Sequence, residues 1–155
     1  MPDHRITNAL RVLLGVLTAS AATVGAWAAF TPRSFYDDFP GLGQIWVAVD
    51  GPYNEHLVRD VGSLNLALAV VSLCALITLA RSTIVAAALG WLAYSVPHLV
   101  YHARHLGPFD GTESVAVLAS VGSSVLVALV VLWLERSRVP ARPVQPMPTE
   151  QVRGV

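Results

Sequence analysis

Residues 61–101 read VGSLNLALAVVSLCALITLA-RS-TIVAAALGWLAYSVPHLVY. Two apolar runs, 61–80 and 83–101, flank Arg81-Ser82. A helix rises about 1.5 Å per residue and a bilayer's hydrocarbon core is about 30 Å thick, so about 20 apolar residues cross it. Each run is long enough. A link this short leaves room only for an antiparallel hairpin of neighbouring helices. Two further runs obey the same rule, at 9–30 and 115–134. Within all four, the only Asp, Glu, Lys, Arg or His side chains are Arg11 and His98. The expected fold is all-α: an integral membrane four-helix bundle over residues 1–135, with short cytoplasmic and longer outward connections.

Composition agrees. The chain has 155 residues, 54% hydrophobic and 13% charged, where soluble domains carry about 25% charged residues. That length makes one domain and leaves no room for a soluble catalytic one. Formal net charge is zero, which argues against nucleic acid as a partner. The single cysteine, Cys74, cannot form an intrachain disulfide and reads as a small packing residue.

Arginine placement orients the spans. Arg5, Arg11, Arg81, Arg136, Arg138, Arg142 and Arg153 fall on one side, and Arg33, Arg59 and Arg104 on the other. By the positive-inside rule both termini are cytoplasmic, and the 31–60 and 102–114 connections face outward. The first span also resembles a signal peptide, with Ala26-Trp27-Ala28 as a cleavage site. Its apolar run exceeds the usual h-region of about 7–15 residues, so it is read as a retained span. The Pro- and Arg-containing segment 136–155 lacks periodicity and is expected to be a disordered cytoplasmic tail.

The first connection is long for a bundle, which marks it as ordered or functional. Its aromatics, Phe35, Tyr36, Phe39, Trp46 and Tyr53, suit an interfacial cap or a ligand lid. Small-residue stripes are expected to pack the helices: Gly15, Ala19 and Thr23; Ala86 and Gly90; Ala116, Ser120, Ser124 and Ala128.

Polar chemistry gathers at the outer ends of the hairpin. The second span opens with Glu55, His56, Arg59 and Asp60, then Asn65; the third ends with His98, His102, Arg104 and His105. At 100° per residue His98, His102 and His105 lie within about 60° of one another. Pivoting at residue 81 sets Asp60 level with His102 and Asn65 level with His98. Pro97 frees the Ala93 carbonyl and is expected to bend the helix beside His98. Three readings follow. One is a structural network. Another is a transition-metal site of His98, His102 and Asp60, with Glu55, His56 or His105 as further ligands, and haem as a variant. The third is a pocket for a lipid or a quinone, lined by Trp27, Trp91, Tyr94 and Tyr101.

The segments Phe35-Tyr36-Asp37-Asp38-Phe39-Pro40-Gly41, Tyr53-Asn54-Glu55-His56-Leu57-Val58-Arg59-Asp60 and Val96-Pro97-His98-Leu99-Val100-Tyr101-His102 resemble small bacterial membrane proteins of the DoxX-like superfamily. The resemblance covers residues 5–135. It implies a four-helix bundle in the bacterial inner (plasma) membrane, without an assigned activity; some such proteins are linked to quinone redox chemistry. The functional expectation is a small binding or accessory protein with an outward His/Asp/Arg cluster. Its partners would be membrane lipids, a second copy or another membrane protein. The alternative is a metal- or quinone-dependent oxidoreductase, or a subunit of one.

Overall fold

A computed structural model describes residues 3–138. Four long helices form the body: α1 (Asp3–Phe30), α3 (Glu55–Thr78), α4 (Arg81–Arg104) and α5 (Gly111–Arg136), with a short α2 (Pro32–Asp38) in the first connection. All four are long and apolar enough to cross a membrane. The all-α expectation holds, apart from a two-residue antiparallel ladder that pairs β1 (Pro40–Gly41) with β2 (Gln44–Ile45). The turn joining the strands needs left-handed backbone at Gly41 (φ 98°), Leu42 (φ 59°) and Gly43 (φ 81°). Glycine adopts that conformation without a Cβ penalty, so two of the three positions are unstrained. The expected tail falls, from residue 139 on, outside the described residues.

Two of the long helices, α3 and α5, begin before their apolar runs and are capped there by polar side chains. The Asn54 side chain accepts from the Leu57 N–H at the start of α3. Asp110 and Glu113 form a reciprocal capping box at the start of α5. Such caps satisfy amides that have no partner in the first turn. Helix α3 ends two residues before the expected pivot, at Leu79 in left-handed conformation (φ 49°). Helix α4 continues through Pro97.

Each helix packs against two others, in the ring order α1, α3, α4, α5. The tightest crossing joins α1 to α3. A Cβ on Gly62 would lie 2.4 Å from the Ala29 nitrogen, and one on Gly25 would lie 2.8 Å from the Leu66 nitrogen. Only glycine permits that backbone approach, which is how small residues hold apolar helices together. This seam replaces the expected Gly15, Ala19 and Thr23 stripe. Ala19 and Thr23 are exposed, and a Cβ at Gly15 would meet nothing. The face of α1 that is buried runs Ile6, Leu10, Leu14, Leu17, Ala21 and Ala28.

On α4 the buried face is Ile84, Ala87, Ala88, Trp91 and Ser95, with Ala86 exposed. Of the α5 stripe, Ala128 is buried and Ser124 donates to Ser95 Oγ at 2.9 Å, while Ser120 is exposed. Cys74 is exposed rather than packed, because it lies on the outer face of α3.

The two ends of the bundle differ. At the α3–α4 turn the core is dense, with Leu10, Leu14, Ile84, Val131 and Leu134 in one cluster. There the buried Glu135 carboxylate pairs with Arg138 at 2.9 Å. The same guanidinium donates to the Leu79 carbonyl at 3.0 Å. At the other end, aromatic and aliphatic side chains of α2 and residues 39–53 cover the helix ends. Phe35 is buried there between Ala28, Val58 and Trp27. The connection is ordered, as expected.

Candidate functional site

Beneath that roof the helices enclose a cavity of about 430 Å³. Pockets that hold small ligands fall in the range of about 300–1,000 Å³. All four long helices and the first connection contribute to its wall. Phe35, Phe39, Val58, Val117 and Trp91 make it largely apolar. Its polar groups are few: Asn65, Tyr94, His98 and His102 from the hairpin, Asp50 from the roof, and serines from α1 and α5.

Helical period explains the row on α4. Trp91, Tyr94, His98 and His102 recur at three- and four-residue intervals and share one side. Tyr94 stacks on His98 with ring centroids 5.4 Å apart, and His98 meets His102 edge-on at 4.7 Å. Opposite them, Asn65 is 3% exposed. Its amide nitrogen donates to the Val61 carbonyl at 2.9 Å and to the Tyr94 hydroxyl at 3.4 Å. Asn65 is therefore bonded to Tyr94, one turn short of the expected level with His98. One turn further down, Trp91 Nε1 donates to the buried Ser72 hydroxyl at 2.9 Å. These two bonds fix the register of α3 against α4.

The roof is pinned from several directions. The Tyr36 hydroxyl donates to the carbonyl of Gly51. Tyr101, at the end of α4, donates to Asp50 Oδ1 at 3.1 Å. Trp46 lines the cavity, and its Nε1 is buried with no hydrogen-bond partner among the described residues. A buried donor without an acceptor costs about 1–3 kcal/mol, a cost the packed roof carries, since this atom is shielded from the cavity's open space.

Of the nine polar residues singled out from sequence, Asn65, His98 and His102 reach the cavity wall. The other six do not line it. Glu55 pairs with Arg59 at 2.9 Å, and Arg59 also donates to the Ala29 carbonyl, tying α3 to α1. His56 lies 3.3 Å from Asp60 on the exposed side of α3. Arg104 is exposed, and His105 stacks on Tyr101 at 4.1 Å outside the cavity. The metal set is not assembled as drawn, because Asp60 turns toward His56. Among the described residues no three His, Cys, Asp or Glu side chains are placed to share an ion. Of the aromatics expected to line a pocket, Trp91 and Tyr94 do and Trp27 and Tyr101 do not.

Sequence reasoning missed Asp50, the cavity role of Trp46, and the whole α5 contribution. Ser120, Ser123 and Ser124 in a largely aliphatic stretch were the available signal; the packing stripe expected on this helix includes Ser120 and Ser124 but not Ser123. The arrangement offers hydrogen-bond donors and acceptors at one end of an apolar chamber. It suits recognition of a polar head on a lipophilic body. No family model, curated protein or solved structure matches this chain.

Proposed function

We propose that this chain is a small binding or accessory protein of the bacterial inner membrane, and that the roofed cavity holds its ligand. The cavity carries the reading: apolar walls, a few convergent polar groups and a pinned roof are the usual build of a ligand site. The placement in a membrane rests on four helices of spanning length and composition. Cytoplasmic termini are supported by the excess of arginine on their side, Arg5, Arg11, Arg81, Arg136, Arg138, Arg142 and Arg153 in the sequence against Arg33, Arg59 and Arg104 on the other. The bacterial assignment rests on the resemblance to DoxX-like proteins.

Filling the cavity tests the reading. Val121 lines it from α5, and Val121→Phe places a ring in the empty space. Native mass spectrometry of protein released from mild detergent should show a bound small molecule in the wild type and none in Val121→Phe. Circular dichroism of the variant should be unchanged. Equal occupancy in both proteins, or none in either, overturns the proposal.

A further inference from the structure

We propose that the ligand is an uncharged amphiphile, a lipid chain bearing a hydroxyl or carbonyl head, which enters sideways between α1 and α5. This rests on the ligand-binding reading above and adds the chemical class and the route.

The head group is argued from charge and from the polar groups of the wall. The described residues that line the cavity include no Arg and no Lys. An anionic phosphate or carboxylate head would find no cation and would face the Asp50 carboxylate. Burying such a charge unpaired is costly. A cationic head is no better placed, since the one carboxylate sits at the exposed rim and already accepts from Tyr101. The groups inside are donors and acceptors without formal charge: the Tyr94 hydroxyl and the His98 and His102 rings. A hydroxyl or carbonyl head can hydrogen-bond to them and leaves no charge to be neutralised.

The route is argued from the serines. Ser20 on α1 and Ser120 and Ser123 on α5 line the cavity and are also exposed. Asp50 and Leu57 do the same at the roof rim, so the cavity opens at two places, and the serines mark the one between the spanning parts of α1 and α5. Contacts between α1 and α5 involve Leu10, Leu14 and Leu17 against Val127, Ala128 and Val131, on the side of the α3–α4 turn. Toward the roof the apolar cluster packed on α1 includes no α5 residue, small side chains edge the opening there, and a chain can pass from the surrounding lipid without crossing the roof. A void of about 430 Å³ takes the head and the first part of the chain; the remainder lies in the gap.

Three probes with one chain and different heads separate the possibilities: 1-monooleoylglycerol, oleate and oleylamine. Each is titrated into detergent micelles of the full-length protein, and thermal unfolding is followed by scanning fluorimetry. The expected result is saturable stabilisation by 1-monooleoylglycerol alone. His98→Phe keeps an aromatic ring in the wall and removes its polar nitrogens. One hydrogen bond contributes about 1 kcal/mol, so the half-saturating concentration should rise about fivefold. Ser120→Trp fills the gap and should abolish the effect; if that variant does not fold, Ser123→Phe blocks the same opening. Preference for oleate or oleylamine overturns the uncharged head. Unchanged binding in His98→Phe overturns the role of the imidazole, and unchanged binding in the gap variants overturns the route. If no probe stabilises the protein while a bound mass still distinguishes wild type from Val121→Phe, the class is wrong and the binding reading stands. If neither is seen, both fall.

Discussion

A methyl group at Gly62 should break the α1–α3 crossing. Its carbon would sit 2.4 Å from the Ala29 nitrogen and 2.8 Å from both the Ala28 carbonyl carbon and Ala29 Cα. Ordinary contact begins near 3.4 Å, so the two helices must part by about 1 Å along their closest stretch. All three obstacles are backbone atoms, and no side chain can rotate away. Overpacking costs about 1–3 kcal/mol, and a backbone clash belongs at the upper end. Alanine also gains about 1 kcal/mol of helix propensity over glycine. The net loss for Gly62→Ala is therefore about 2 kcal/mol, roughly a thirtyfold fall in the ratio of folded to unfolded protein. Gly15→Ala is the control. Nothing lies within 4 Å of its added carbon, so only the propensity gain remains. Titration of each protein with sodium dodecyl sulfate in mixed micelles, followed by far-ultraviolet circular dichroism, reads both effects. Opposite shifts are expected. A Gly62→Ala variant stabilised as Gly15→Ala is would refute the close crossing.

The remaining predictions use the same titration. Arg138→Ala strands the Glu135 carboxylate, whose side chain is 5% exposed; allowing for the 27% exposure of Arg138, the loss is about 2 kcal/mol. Adding Glu135→Gln should recover most of it, and failure of that rescue would mean the ion pair is not the cause. Asp110→Ala removes the capping box of α5 and should cost about 1 kcal/mol; a change under about 0.3 kcal/mol would show that the cap is frayed in micelles. Asp60→Asn disturbs only an exposed pair with His56 and should shift stability by less than about 0.5 kcal/mol. A large loss there would place Asp60 back inside the functional cluster.

The spans and the hairpin were legible because they depend on run length and link length alone. Asn65, His98 and His102 were legible because the hairpin constrains which polar residues can meet. The error in that argument was one turn. The chain reverses at Leu79 rather than at residue 81, and Tyr94 is long enough to reach Asn65 from a level nearer the turn. The packing seam was harder. Helix α1 carries two small-residue stripes, Gly15-Ala19-Thr23 and Ala21-Gly25-Ala29, and either would serve an isolated helix. Only the position of Gly62 on α3 selects the second, and that is a property of two helices together. The placement of Asp50 and Trp46 in the wall was not legible, since periodicity says nothing of where a loop residue points.

The outward position of Asp60 follows from the same crossing. On an ideal helix Asp60 and Asn65 point about 140° apart. At its roofed end α3 presents Val58, Gly62 and Asn65 to the rest of the fold, with Gly62 held against Ala28 and Ala29. Asp60 is then turned away, and His56, four residues earlier on the same stripe, goes with it. The carboxylate nearest the α4 imidazoles must come from elsewhere, and the first connection supplies it by setting Asp50 against Tyr101. The glycine that brings α1 and α3 together thus decides which acid reaches the cavity. It leaves the interior with uncharged polar groups and places the formal charge at the rim, where water can solvate it. A site built this way selects by hydrogen bonding and shape rather than by ion pairing.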